Sequence, residues 1–283
     1  RTGAQVTRLV FEGDPAPSVE YMREGKRVTV RANREVILSA GAVNSPQILM
    51  LSGIGDGAKL PGHGIETNYN LPQVGQNLQD HLGFDYIYEA NCLTLNDVLR
   101  PLHRRMAVGL QYLATRKGPL SLSINQAGGF VRTDESRQRP NIQLYFSPLS
   151  YTRAIPGKRA LMRADFFSGF MLGTSNCHPL SRGEIDLRSA DPFASPVIRP
   201  NYLSDERDLD ELVQSARILR KIAAEQPLAG KIIREITPGP DTETDEEMAA
   251  DIRARSGSVF HACGTCAMGP DPKKSVVGPR LRV

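Results

Sequence analysis

His261 is the residue whose type and setting best suit proton transfer. It follows Val259 and Phe260, a strand-like pair, and precedes the tight Gly264-Thr265-Cys266 turn. A ring so placed is held on a rigid edge, and imidazole is well populated in its neutral, proton-accepting form near pH 7. A histidine after two apolar residues is also commonly a buried structural group, and the local sequence leaves both readings open. Cys263 and Cys266 form a C-x-x-C pair, the spacing of a redox dithiol or half a zinc site. Zinc needs two further ligands, and the one spare pair is Cys177-His178. No βαβ unit of the thioredoxin kind surrounds the pair. Two structural thiols in a packed turn, and no metal site, are expected.

The other histidines carry less. His63 and His103 stand alone among polar or helical neighbours, and His178 precedes Pro179 in a loop. His81 closes the run Asn77-Leu78-Gln79-Asp80-His81, where a hydrogen-bonded structural duty is expected. A different chemistry is written in residues 35–55. Glu35-Val36-Ile37-Leu38 reads as a buried strand running into the small residues Ser39-Ala40-Gly41-Ala42. Ser45 offers an N-cap and Pro46 a first helical residue, so a helix is expected over 47–51, ended by Ser52-Gly53. The N-terminal amides of such a helix can face an anion or a dinucleotide, although an ordinary strand-to-helix connection has the same appearance.

The elements that position these residues follow from periodicity. Val6, Leu9, Val10 and Phe11 precede a turn at Gly13-Asp14-Pro15. Val19-Glu20-Tyr21 and Val28-Thr29-Val30 flank Arg23-Glu24-Gly25-Lys26, so short paired strands are expected. Leu95, Leu99, Leu102, Met106, Leu110 and Leu113 predict one long amphipathic helix ending at Lys117-Gly118-Pro119. Strands over 129–132, 142–146, 166–172 and 184–187, separated by loops, point to an antiparallel sheet. A second long helix is expected over 204–226 and a third from the capping box of Thr244 and Glu247. The fold class is therefore α/β at the two ends with an α+β domain between them.

The chain has 283 residues, 40% hydrophobic and 23% charged, which excludes a disordered or fibrous protein. Its net charge of +4 is a mild excess with no basic tract expected, and it supplies no argument for nucleic acid or a membrane surface. No apolar run approaches a transmembrane length. Four cysteines make no disulfide framework and favour a reducing compartment, the cytoplasm. Both ends read as cuts through structured sequence, so the chain is expected to be an internal piece of a longer protein.

Four ordered motifs resemble the glucose-methanol-choline (GMC) oxidoreductases, flavoproteins that oxidise alcohols. They are the run from Gly41 to Gly55, with Ser45-Pro46 and Ser52-Gly53-Ile54-Gly55; Val74-Gly75-Gln76-Asn77-Leu78-Gln79-Asp80-His81; Ser181-Arg182-Gly183-Glu184-Ile185-Asp186-Leu187 with Pro200-Asn201-Tyr202-Leu203; and His261-Ala262-Cys263-Gly264-Thr265-Cys266-Ala267-Met268-Gly269. The resemblance covers essentially the whole chain. It implies FAD as cofactor, a small-molecule alcohol as substrate, hydride transfer to flavin N5 and His261 as the base. It implies that Val6 meets adenine through its backbone and that Ala40 and Gly41 line the ADP-ribose groove. It further implies an FAD-domain portion over 1–90, an antiparallel substrate-binding domain flanked by helices over 91–235, and a return to the FAD domain over 236–283. Residues 91–101 and 146–156 are expected to border the substrate. Departures are the missing Gly-x-Gly-x-x-Gly turn, the missing segment with the second catalytic residue, Gly278 in place of Asp and Ser18 in place of Gly. The alternative is a catalytically silent fragment unable to bind FAD by itself. The particular alcohol, the electron acceptor and the oligomeric state are not legible.

Overall fold

Alternating apolar residues near the N-terminus pair as strands. In the computed structural model, which describes residues 2–11, 18–152, 163–271 and 273–283, Ala4–Val10, Ser18–Arg23 and Lys26–Arg31 form an antiparallel sheet in that order. Glu24 and Gly25 both take positive φ, the geometry that a two-residue hairpin loop requires. The turn expected at 13–15 lies outside the described residues. By contact clustering the chain divides into two units. The first holds Arg1–Asp80, Ser181–Ser204 and Phe260–Val283, and the second His81–Leu180 and Asp205–Val259.

In the first unit helix α1, Gly41–Leu51, buries Pro46, Gln47, Ile48, Leu49 and Met50. Ile48, Leu49 and Met50 share a core with Leu9, Ile54, Leu60, Leu71, Val74, Leu187 and Val276. The helix starts earlier than its proline suggests, with Pro46 inside it and Ala40 preceding it. The strand expected over 35–38 has no regular secondary structure and pairs with none of the described strands, and Ile37 is 79% exposed. Only its alternate residues Val36 and Leu38 pack on the core. Glu184–Asp186 pairs with Val197–Arg199, and this hairpin belongs to the first unit.

The second unit is built on an antiparallel sheet whose strand order is Ile232–Thr237, Leu82–Ala90, Gly169–Asn176, Ile142–Ser147, Ala127–Val131. Gly257–Ser258 adds to the edge of Leu82–Ala90. The strand expected over 166–172 thus begins three residues later and runs further. The single helix expected from Leu95 onward is two, α2 (Leu95–Leu99) and α3 (Leu102–Thr115). Pro101 stands between them with extended backbone, because proline has no amide to donate and restricts the residue before it. Helix α4, Glu206–Ala224, lays Leu209, Leu212, Val213, Ala216, Leu219 and Ala223 on the sheet, and Asp205 caps it by accepting from the Arg207 amide. Helix α5, Asp245–Arg255, begins with the capping box expected of Thr244 and Glu247.

One ion pair ties α4 to the sheet. Arg220 donates Nη2 to Glu235 Oε1 at 2.7 Å and Nε to Oε2 at 3.1 Å, and its guanidinium stacks 5.4 Å from the Tyr86 ring centroid. Glu235 also accepts from the Tyr88 hydroxyl at 3.3 Å. Removing the arginine would strand a largely buried carboxylate. Arg220→Ala is therefore expected to destabilise the second unit by about 3–5 kcal/mol. Urea unfolding is the measurement, and a loss below about 1 kcal/mol would place this pair among ordinary surface bridges.

Candidate functional site

The four motifs meet within the first unit, and a proline explains one of the joints. Pro46 has no amide hydrogen, so the carbonyl of Ala42, four residues back, lacks its usual helical donor. The Thr265 hydroxyl supplies one, donating to Ala42 O at 2.6 Å, and Thr265 itself is 1% exposed. The Ser45 hydroxyl, expected to cap the helix forward, instead accepts from the Ala40 amide at 3.1 Å. Ala40 and Gly41 are exposed at the mouth of this helix. Gly41 has φ +83°, which a side chain would strain, and a Cβ there would meet nothing within 4 Å.

The same segment is stitched to the second motif by backbone bonds. The Gly75 amide donates to Thr265 O at 2.9 Å, and Gln79 and Cys263 exchange two bonds of 2.9 Å. Gly75 carries φ +83° and passes so close to Ile185 O that a Cβ would overlap it. The Ile185 amide closes that contact by donating to Gly75 O at 2.7 Å, which brings in the third motif. Leu78 and Gly183 exchange a further pair of bonds.

His261 is positioned through its backbone. Its amide donates to Asp80 Oδ1 at 2.9 Å, and the other oxygen of Asp80 accepts from the Tyr202 hydroxyl at 2.5 Å. Phe260, just before it, takes φ 62° and is almost wholly exposed. His261 is itself exposed, so the reading of it as a buried structural residue does not hold. Asp80 and Tyr202 lie inside the motifs but carry no role legible from sequence. Their pairing spans 122 positions and shows only once the chain is folded.

Val6 sits apart from this cluster, on the first strand, opposite Tyr21 and against the core that α1 helps to build. That strand is an edge of its sheet, with an irregular register between Val6 and Arg8. The Leu9 amide leaves the sheet to donate to Ser52 Oγ at 2.8 Å, and that hydroxyl donates to Ile48 O. Within the second unit, the two segments expected to border the substrate are joined by Asn96. Its Nδ2 donates to Ser150 O and its Oδ1 accepts from the Ser150 amide, at 3.0 and 2.9 Å. Residues 153–156 of the second segment lie outside the described residues.

The two thiols of the C-x-x-C differ. Cys263 is exposed, whereas burial pushes the Cys266 thiol up to about 11 as it packs on the core. At neutral pH Cys266 is therefore a protonated, unreactive thiol. Iodoacetamide at about pH 8 is expected to label Cys92 and Cys263 before Cys266, as peptide mass mapping would show; equal labelling of Cys266 would contradict it. Thr265→Val keeps the side-chain shape but leaves the Ala42 carbonyl without a donor. It should cost about 1–3 kcal/mol of unfolding stability, measured by urea denaturation, and a change under about 0.5 kcal/mol would show that the bond is dispensable.

Two family models described as GMC oxidoreductase match the chain, an N-terminal one over residues 1–83 and a C-terminal one over residues 179–283. The alcohol dehydrogenase (acceptor) of Pseudomonas putida is 42% identical over 285 residues, 100% of this chain and 50% of that protein. The mitochondrial choline dehydrogenase of Homo sapiens is 39% identical over 284 residues, 98% of this chain and 46% of that protein. A solved structure of a formate oxidase variant from Aspergillus oryzae RIB40, concerned with FAD modification, has a TM-score of 0.88 at 26% identity. It is matched over 99% of this chain and 53% of its own. The chain spans about half the length of the curated relatives it matches. With all four motifs interlocked and both models matched in order, the chain belongs to the GMC oxidoreductase family.

Proposed function

We propose that the chain is part of an FAD-dependent enzyme that oxidises a primary alcohol to an aldehyde, with His261 as the base. The observation that carries this reading is the clamp of Asp80 on the His261 amide, itself held by Tyr202. It fixes the backbone of an exposed imidazole, which is what a proton acceptor for a bound substrate requires. The relatives named alcohol dehydrogenase and choline dehydrogenase support the substrate class. The free thiols at all four cysteines support a reducing compartment, the cytoplasm. None of the described helices is long and apolar enough to cross a membrane.

The residues present fit a flavin dinucleotide in part. Open space over Gly41 and the first-turn amides of α1 suit a phosphate or ribose beside Ala40 and Gly41. Among the described residues the first strand is an edge of its sheet, which leaves backbone groups near Val6 for the adenine. On this reading residues 1–90 and 236–283 belong to the FAD-binding domain and 91–235 form the substrate-binding domain, its 91–101 and 146–152 segments held together by Asn96. FAD supplies an acceptor for the hydride that leaves the alcohol carbon. His261 accepts the hydroxyl proton, so that proton and hydride together account for the two hydrogens lost by the alcohol.

The half-length match to the relatives favours, as a second reading, a chain that needs the rest of the protein for FAD binding and turnover. Both readings meet one experiment on the full-length protein. His261→Ala, loaded with FAD, is expected to slow anaerobic flavin reduction by about 10²–10⁴-fold in stopped flow. His81→Ala should instead reduce stability or flavin retention. Reduction by the His261 variant within a factor of about three of wild type would remove the base assignment.

A further inference from the structure

The whole-chain charge of +4 conceals an uneven distribution. Residues 98–133 hold six Lys and Arg and one His with no acidic residue. Helix α3 lies at the centre of this stretch. Val108 is its one buried residue, whereas Leu102, Met106, Leu110 and Leu113 are between 59% and 67% exposed. On a 3.6-residue period those four fall within about 80° of arc. Gly109 lies at the edge of the same arc, and a Cβ there would meet nothing within 4 Å. The apolar stripe anticipated from the sequence thus exists, but it faces outward. Arg105 and Arg116 border it on one side and His103 on the other.

The cations of this stretch are not spent on acidic partners. Arg100 and Arg104 donate to the carbonyls of Phe166 and Asp97, and Arg116 lies 5.3 Å from the Tyr112 ring centroid. Among the described residues, none of Arg100, Arg104, Arg105, Arg116 and Lys117 makes an ion pair.

We propose that α3 is a membrane-surface helix that docks the protein on a bilayer carrying anionic lipid. An exposed apolar stripe bordered by cations is the pattern that lies in a lipid interface with its apolar face at the acyl boundary. The flanking cations meet anionic headgroups. A second copy of the chain would set this stretch against its own like charges, which argues for lipid over a self-contact. At 14 residues α3 is about 21 Å long, too short to span a bilayer, so the mode is peripheral.

The test is sedimentation of the full-length protein with vesicles of phosphatidylcholine alone or with about 30 mol% phosphatidylglycerol. Binding to the anionic vesicles is expected to be at least about tenfold tighter than to the neutral ones, and to weaken with salt. Leu110→Glu/Leu113→Glu should abolish it, and Arg105→Glu/Lys117→Glu should remove the preference for anionic lipid. Both pairs are surface changes, and an unchanged urea midpoint would confirm that each variant folds. Equal binding to both vesicles, binding to neither, or unaltered binding by a folded double variant would overturn the proposal. So would conversion of a dimer to a monomer by Leu110→Glu/Leu113→Glu in light scattering, which would make the stripe a contact between copies.

Discussion

A helix that carries a proline at its sixth residue has one carbonyl that cannot be satisfied from within. Here that carbonyl belongs to Ala42, and a hydroxyl 223 positions away satisfies it. Because Thr265 is buried, the alternative to the bond is a stranded polar group, and the helix and the His261 segment are held to a single register. The remaining joints extend from there. Thr265 receives Gly75, Gly75 admits Ile185, and Gln79 and Cys263 lie side by side in a two-bond bridge. Each motif that stands apart in the sequence is thus a hydrogen-bonding partner of another.

The same network reaches the backbone at His261. Asp80 spends one oxygen on a backbone amide and the other on a tyrosine hydroxyl, so it serves as a bracket for the chain at His261. His261 itself is an exposed residue. A thiol in the next turn, Cys266, packs inward on the core shared by Leu49, Met50 and Leu71. Within six residues the chain passes from an exposed histidine to a half-buried thiol, with positive φ at Phe260 and Gly264 between them.

What was legible in the sequence was mostly local. The hairpin around Glu24-Gly25, the stripe of α4 and the capping box of α5 all depend on neighbours within a few residues. The failures have tertiary causes. Residues 35–38 have strand composition, but a strand exists only with a partner, and none of the described strands pairs with them. Ser45-Pro46 has the form of a helix start, yet a distant threonine allows the helix to begin at Gly41. The periodicity of 95–113 runs unbroken through Pro101, where backbone chemistry overrides pattern. At the site, His261 stands out by type, whereas Asp80 and Tyr202 act through a contact that no spacing reveals.

The first unit is assembled from three stretches of chain that alternate in sequence with the two stretches of the second unit. Synthesis of such a topology is out of step with its assembly: the helix at 41–51 leaves the ribosome long before Thr265, at a usual pace of about 5–20 residues per second. The closing contacts are among the most non-local a chain of this size can make, and contacts of that kind slow folding. Until they form, the Ala42 carbonyl and the apolar face of α1 are exposed to whatever else is in the cell. A protein built in this way depends on holding its early segments soluble until the last ones arrive, and chaperone capture of the nascent chain would have its greatest effect in that interval.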